Sequence, residues 1–234
     1  MHASQSRILL PGFGLVRVGI LLAVFCAIDA SASAQVRPNS NPNPGVIPPD
    51  SHAHGLTYGE WSARWWKWAL EQPAALSPLA DTTGANCAVG QSGPVWFLAG
   101  TFGSTAPVTR MCTIAPGKTL FFPIANAFYS AEGTFAEMQA RAIADVNTAT
   151  GLSVTVDDKA LNSVELYRAL SPDFTLDLPP GNIFGAPADA YKPSASDGYY
   201  IMLTPLTPGT HTIQIKAQFP TSIVDVTYLI TVSR

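Results

Sequence analysis

Charged side chains are scarce in this chain. They make up 12% of its 234 residues, about half the share of an ordinary soluble domain. The 13 basic residues are outnumbered by 16 acidic ones, so the positive surplus that phosphate binding needs is missing and a nucleic-acid partner is not expected. Histidine is rarer still, at 4, and cysteine occurs 3 times, which leaves little for a metal cage. The apolar run Val18–Ile28 is 11 residues long, short of the ~20 that cross a bilayer, and no second apolar span follows it. A G-x-S-x-G nucleophile elbow is also absent, since Gly90-Gln91-Ser92-Gly93 lacks its spacing.

What is present points to a folded, strand-rich protein. The 47% hydrophobic content is too high for a disordered chain. Twenty prolines and 18 glycines argue against a helical bundle and for many short strands joined by turns.

The amino-terminal stretch reads as an export signal. Arg7 and Arg17 precede the apolar run, and Ala32-Ser33-Ala34 supplies the small-x-small cleavage pattern. Residues 1–34 are therefore expected to be removed before Gln35, with Ala30-Ser31-Ala32 as the alternative site. Phe25 is too bulky for a lipoprotein pattern at Cys26, so no lipid anchor is expected. The mature protein would be secreted or periplasmic, and its two remaining cysteines, Cys87 and Cys112, would join in that oxidising compartment.

Residues 35–55 contain five prolines and three asparagines with little apolar content. They read as a flexible, polyproline-like arm. Residues 56–234 read as one domain. Thr57 and Glu60 form a capping box, with Leu56 and Trp61 placed as a hydrophobic staple, and Pro73 ends the helix. Trp61, Trp65 and Trp68 share one side of that helix, extended by Trp66 and Leu70; Glu60, Arg64, Lys67 and Glu71 lie opposite. Such a helix is expected to cover an open face of the domain. Thr134 and Glu137 repeat the capping box for a second helix that Gly151 ends.

The rest reads as short strands. Val95–Ala99 is a continuous apolar run, consistent with a strand buried on both faces. Val108–Ile114 and Thr119–Ile124 form a hairpin-like pair, and apolar and polar residues alternate in stretches around 152–156, 174–178, 199–203, 211–219 and 224–232. About eight half-buried strands of this kind suggest an antiparallel, jelly-roll-like β-sandwich carrying two covering or inserted helices.

Several chemistries are open. Aromatics backed by polar side chains suit a binding surface for an extracellular glycan or other polymer. Trp66, Trp96, Tyr200 and His211 are the ligand-binding candidates, with Tyr129 and Tyr191 as further ones. A hydrolase or lyase would need carboxylates such as Glu60 or Glu132, or His211, in a sandwich cleft. His52 and His54, an H-x-H pair on the arm, are weak metal candidates that would need His211 as a third imidazole. The loop Asp81–Asn86 offers oxygen ligands for calcium, although turn chemistry explains the same residues. Binding is the leading expectation; no catalytic residue, metal or cofactor is assigned, and the sequence leaves the oligomeric state open.

The phrases YGEWSARWWKWALEQP (58–73), DTTGANCAVGQSGPVWFLAGTFG (81–103) and TRMCTIAPGKTLFFPI (109–124) make the chain resemble a group of exported bacterial proteins. That group carries this tryptophan-rich opening and the C…GQSGPVWFLAG phrase. The resemblance implies a bacterial, exported context and carries over no catalytic residue. The ending PLTPGTHTIQIKAQF more loosely resembles the last hairpin of extracellular sandwich domains.

Overall fold

Two five-stranded sheets and two helices make up the fold in the computed structural model, which describes residues 41–234. The expected export signal, Cys26 and the cleavage position near Ala34 lie outside the described residues. Among the described residues no helix is long and apolar enough to cross a membrane.

In chain order the elements are α1 (Tyr58–Leu70), β1 (Val95–Phe97), β2 (Val108–Ile114), β3 (Thr119–Ser130), α2 (Phe135–Val146), β4 (Thr150–Val156), β5 (Lys159–Ala160), β6 (Arg168–Leu170), β7 (Phe174–Leu178), β8 (Asp189–Leu203), β9 (Gly209–Gln218) and β10 (Ile223–Val232). The first sheet runs β1-β3-β8-β6, with β7 also on β8; the second runs β2-β10-β9-β4-β5. Both helices start as their sequences dictate. The Thr57 backbone N–H donates to Glu60 Oε2 at 2.8 Å while Glu60 N–H donates to Thr57 Oγ1 at 3.1 Å. Thr134 and Glu137 repeat this reciprocal pair. Glu60 is thereby used in the cap, and Arg64 instead lies over the Trp61 ring at 5.1 Å.

The second sheet keeps the expected alternation. Ile213, Ile215 and Ala217 of β9 and Val224, Val226, Tyr228, Ile230 and Val232 of β10 are buried, and the intervening residues face outward. The first sheet is covered on both sides, so β3 is buried without interruption from Thr119 to Ala125. On one side α1 lays Tyr58 and Trp61 against Phe121, at ring-centroid separations of 5.6 and 6.5 Å. The other side receives the second sheet, whose Val154, Ile213 and Ile215 share one core with Leu120, Phe122 and Ile124. It also receives α2, which packs on β3 and β8 with Met138, Ala142 and Val146 buried.

Three sequence expectations change at this level. Strands β2 and β3 are not a hairpin: β2 pairs with β10 and β3 with β1 and β8, so the Pro116-Gly117 turn carries the chain from one sheet to the other. Pairing is antiparallel in the interior, but the edge pairs β1–β3 and β2–β10 are parallel, which is not the all-antiparallel winding of a jelly roll. The described part of the expected flexible arm, residues 41–55, is tied to the domain. Val46 is 2% exposed and bridges to Leu203, Ile47 N–H donates to the Met202 carbonyl at 2.8 Å, and Asn43 Nδ2 donates to Tyr167 Oη at 3.0 Å. Val46 and Ile47 dock this proline-rich strap at the end of β8, together with bonds such as that from Tyr58 Oη to the Ile47 carbonyl and from Trp61 Nε1 to the Ala53 carbonyl.

The disulfide joins Cys87 to Cys112 with Cα atoms 5.9 Å apart. It fastens the loop after α1 beside β2, the outermost strand of its sheet, where the Thr83 carbonyl accepts from Met111 N–H at 2.8 Å. Behind this loop Arg110 is 1% exposed. Its guanidinium donates to the carbonyls of Asp81 and Ala99 at 2.7 Å each and to Tyr228 Oη at 2.9 Å. Backbone oxygens thus satisfy a buried cation that, among the described residues, pairs with no carboxylate.

A candidate binding cleft

A cleft of about 700 Å³ opens where α1, the outer half of β3, β7, the β9–β10 turn and the loops around 102 and 184 meet. Its wall is a run of aromatic rings. Trp65 meets Trp66 edge-on at 4.8 Å, Trp66 lies 4.3 Å from Phe128, Phe128 6.1 Å from Phe184, and Phe184 5.6 Å edge-to-face from Phe102. Ring pairs in this range attract beyond their buried area. The run grades from the interior to solvent: Trp66 is 3% exposed, whereas Phe184 is 40% and Phe102 48% exposed.

Each ring has a local reason for its position. Trp65 is fixed by an indole N–H donated to the Leu98 carbonyl at 2.9 Å. Phe128 lies beyond the register shift between Pro123 and Ala125, on the stretch of β3 that pairs with Ser194–Tyr199. Phe184 is presented by a turn built on Asn182, whose Oδ1 accepts from Phe184 N–H and Ala186 N–H at 3.1 and 3.2 Å. Asn182 is itself buried, an Asx-type turn in which one side chain replaces several backbone partners.

The far end of the cleft is polar. Tyr129, Ser130, Glu132, Asp145 and Thr148 line it. Tyr129 Oη donates to Asp145 Oδ2 at 2.7 Å, and this bond, ahead of burial and the Asp145 charge, raises the phenol's pKa above its ordinary value. Arg141 reaches Glu132 at 2.7 Å and covers the Tyr129 ring at 5.6 Å. The helix carrying Asp145 is held by a clamp deeper in. Arg168 donates through Nε to the fully buried Asp197 at 2.9 Å and through Nη2 to Asn147 Oδ1 at 2.8 Å.

Beside the cleft lies a knot of polar groups. Ser62 Oγ and Ser196 Oγ are 3.3 Å apart, and burial raises the pKa of the Tyr200 phenol next to them to about 12. Trp66 Nε1, Asn126 Nδ2 and Tyr200 Oη are buried without a hydrogen-bond partner among the described residues. Trp66 and Asn126 both belong to the cleft wall.

The structure brings together Trp66, Tyr129, Tyr191 and Glu132 from the sequence candidates. It does not bring the others there. Tyr200 is fully buried and stacks on Phe121 at 5.3 Å. Trp96, 9% exposed, is part of the core. His211 sits on the other sheet, with Nδ1 2.7 Å from Asp157 Oδ2 and Nε2 2.8 Å from the Thr207 carbonyl. Glu60 caps α1.

His52 and His54 are exposed and adopt left-handed backbone angles (φ 49° and 54°), not the extended conformation that would align their rings. His54 Nε2 pairs with Thr119 Oγ1 at 2.9 Å. Among the described residues no group of three or more His, Cys, Asp or Glu is placed to hold a metal ion. In the Asp81 loop the carboxylate accepts from the backbone N–H groups of Thr83, Gly84 and Asn86 at 2.8–3.0 Å, which is turn chemistry. Sequence reasoning passed over Phe102, Phe128, Phe184 and Asp145. The first and third lie in loops without periodicity, and nothing in the chain's order signals that they converge.

No family model matches the chain, and no curated protein matches it. A solved structure of PbICP-C in complex with falcipain-2 shows a weak likeness, covering 60% of this chain and 100% of the other at 9% identity and a TM-score of 0.27. A likeness at that level carries no argument. What stands is a disulfide-bonded, mainly β, two-sheet protein with an aromatic-walled cleft.

Proposed function

We propose that this is an exported bacterial binding protein whose cleft receives an extracellular glycan or a similar surface polymer. The observation that carries the reading is the graded aromatic wall, from buried Trp66 through Phe128 to the exposed rings of Phe184 and Phe102, backed by the hydroxyls of Tyr129, Ser130 and Thr148. Exposed ring faces take up the apolar faces of sugars, and hydroxyls and carboxylates take up their O–H groups. The disulfide fits an oxidising compartment outside the cytoplasm, in keeping with the export signal read from the sequence. Retention on a panel of insoluble polysaccharides tests this. The wild-type protein should be retained on at least one, and Phe184→Ala should weaken binding about tenfold, the worth of one ring contact. No retention on any member, or full retention by Phe184→Ala, contradicts the reading.

A second reading is a hydrolase or lyase, favoured by one observation: Glu132 and Asp145 line the same cleft. Paired carboxylates are the machinery of glycosidic cleavage. Turnover of a retained oligosaccharide that vanishes in Glu132→Gln or Asp145→Asn would establish it; retention without product formation rejects it.

A further inference from the structure

The titratable side chains that line the cleft are Glu132, Asp145 and the tyrosines Tyr129 and Tyr191; among the described residues no lysine, arginine or histidine lines it. Each carboxylate spends one oxygen on a neighbour: Glu132 Oε2 on Arg141 and Asp145 Oδ2 on Tyr129, both at 2.7 Å. The other oxygens, Glu132 Oε1 and Asp145 Oδ1, make no hydrogen bond among the described residues. The Arg141–Glu132 pair is half open to solvent, with side chains 50% and 61% exposed. Such pairs are held weakly and exchange partners readily. An anionic ligand would meet two carboxylates here, and the chain as a whole is acidic, at −3.

We propose that the cleft is selective for a glycan carrying free amino groups, with sugar faces on the rings of Phe102 and Phe184 and ammonium groups at Glu132 and Asp145. This rests on the polymer-binding reading above and names the class of polymer. A second observation supports it. The hydroxyl-bearing side chains of Ser130, Thr148, Thr221 and Ser222 line the same cleft. Sugar hydroxyls both donate and accept, so one amino sugar answers these hydroxyls and the carboxylate acceptors together. A lysine side chain supplies the cation without the hydroxyls, so a basic peptide fits the same cleft less completely.

The probes are a β-1,4-linked glucosamine hexamer, its fully N-acetylated counterpart and an oligolysine of equal charge, titrated by calorimetry into the disulfide-intact protein at mildly acidic pH. The amino hexamer should bind at least tenfold tighter than the N-acetylated one. That gap should collapse to less than threefold in Glu132→Gln/Asp145→Asn and persist in Glu165→Gln, which removes an exposed carboxylate elsewhere. Circular dichroism confirms that each variant is folded. Equal binding of both hexamers overturns the inference and leaves the polymer reading standing. Oligolysine binding as tightly as the amino hexamer also overturns it, since the cleft would then read charge alone. Binding of no hexamer and no neutral polysaccharide overturns both.

Discussion

Removing the link between Cys87 and Cys112 tests how the edge of the second sheet is closed. The two cysteines are 25 residues apart in sequence, and in the chain-entropy account a loop of that size is worth about 3.5 kcal/mol. The Cys87→Ala/Cys112→Ala double variant adds a small packing loss, because Cys112 is only 4% exposed; reduction of the wild-type protein removes that complication. With a urea m-value of roughly 2–3 kcal/mol/M for a chain of this size, the midpoint should fall by roughly 1.2–1.8 M. The loss should be felt first at β2. Its Met111 amide donates to Thr83 in the tethered loop, so hydrogen exchange at Met111 should accelerate more than at Ile215 in the sheet interior. An unchanged midpoint on reduction, or two free thiols by titration of the untreated protein, would refute the reasoning.

Other perturbations probe helix seating and pH dependence. Gly59 on α1 faces β6 so closely that an added methyl would lie 2.1 Å from the Leu170 carbonyl oxygen; Gly59→Ala should cost about 2–3 kcal/mol in urea unfolding. Gly100→Ala, whose methyl would find ordinary 3.9 Å contacts to Pro123 and Val224, should stay within about 0.5 kcal/mol of wild type. Burial works against charge on His211, yet the Asp157 carboxylate and the Thr207 carbonyl outweigh it and raise its pKa above the ordinary value. Its contribution is therefore complete below about pH 6.5 and fades as pH rises through the higher folded value. His211→Asn should accordingly lose more stability at pH 6 than at pH 9. The Asp157 side chain is 45% exposed, so the difference should be under about 1 kcal/mol.

Local chemistry was the most legible layer of the sequence. The capping boxes at Thr57 and Thr134, the alternation of β9 and β10 and the pairing of Cys87 with Cys112 each depend on neighbours in sequence or on simple counting. The tryptophans of α1 were legible as buried, since such apolar side chains on one short helix need cover. Long-range arrangement was not. Nothing in Val108–Ile124 distinguishes a hairpin from a turn that hands the chain to the other sheet, because both use Pro116-Gly117. The docking of residues 41–55 draws on Val46 and Ile47, a signal too short to outweigh the prolines around it. The cleft draws on segments far apart in the chain, and its exposed rings, Phe102 and Phe184, look like ordinary loop residues until the fold sets them 5.6 Å apart.

Indole N–H resonances in a titration with the β-1,4-linked hexamer that the protein binds test the central claim most directly. Ligand in the cleft should shift the signals of Trp65 and Trp66, which line it, and leave that of Trp68, bonded to the Val89 carbonyl, unmoved. Unmoved indole signals of Trp65 and Trp66, with backbone-amide shifts confined instead to Met111, Leu229 and their neighbours on the outer face of the second sheet, would place the binding surface elsewhere and contradict the account.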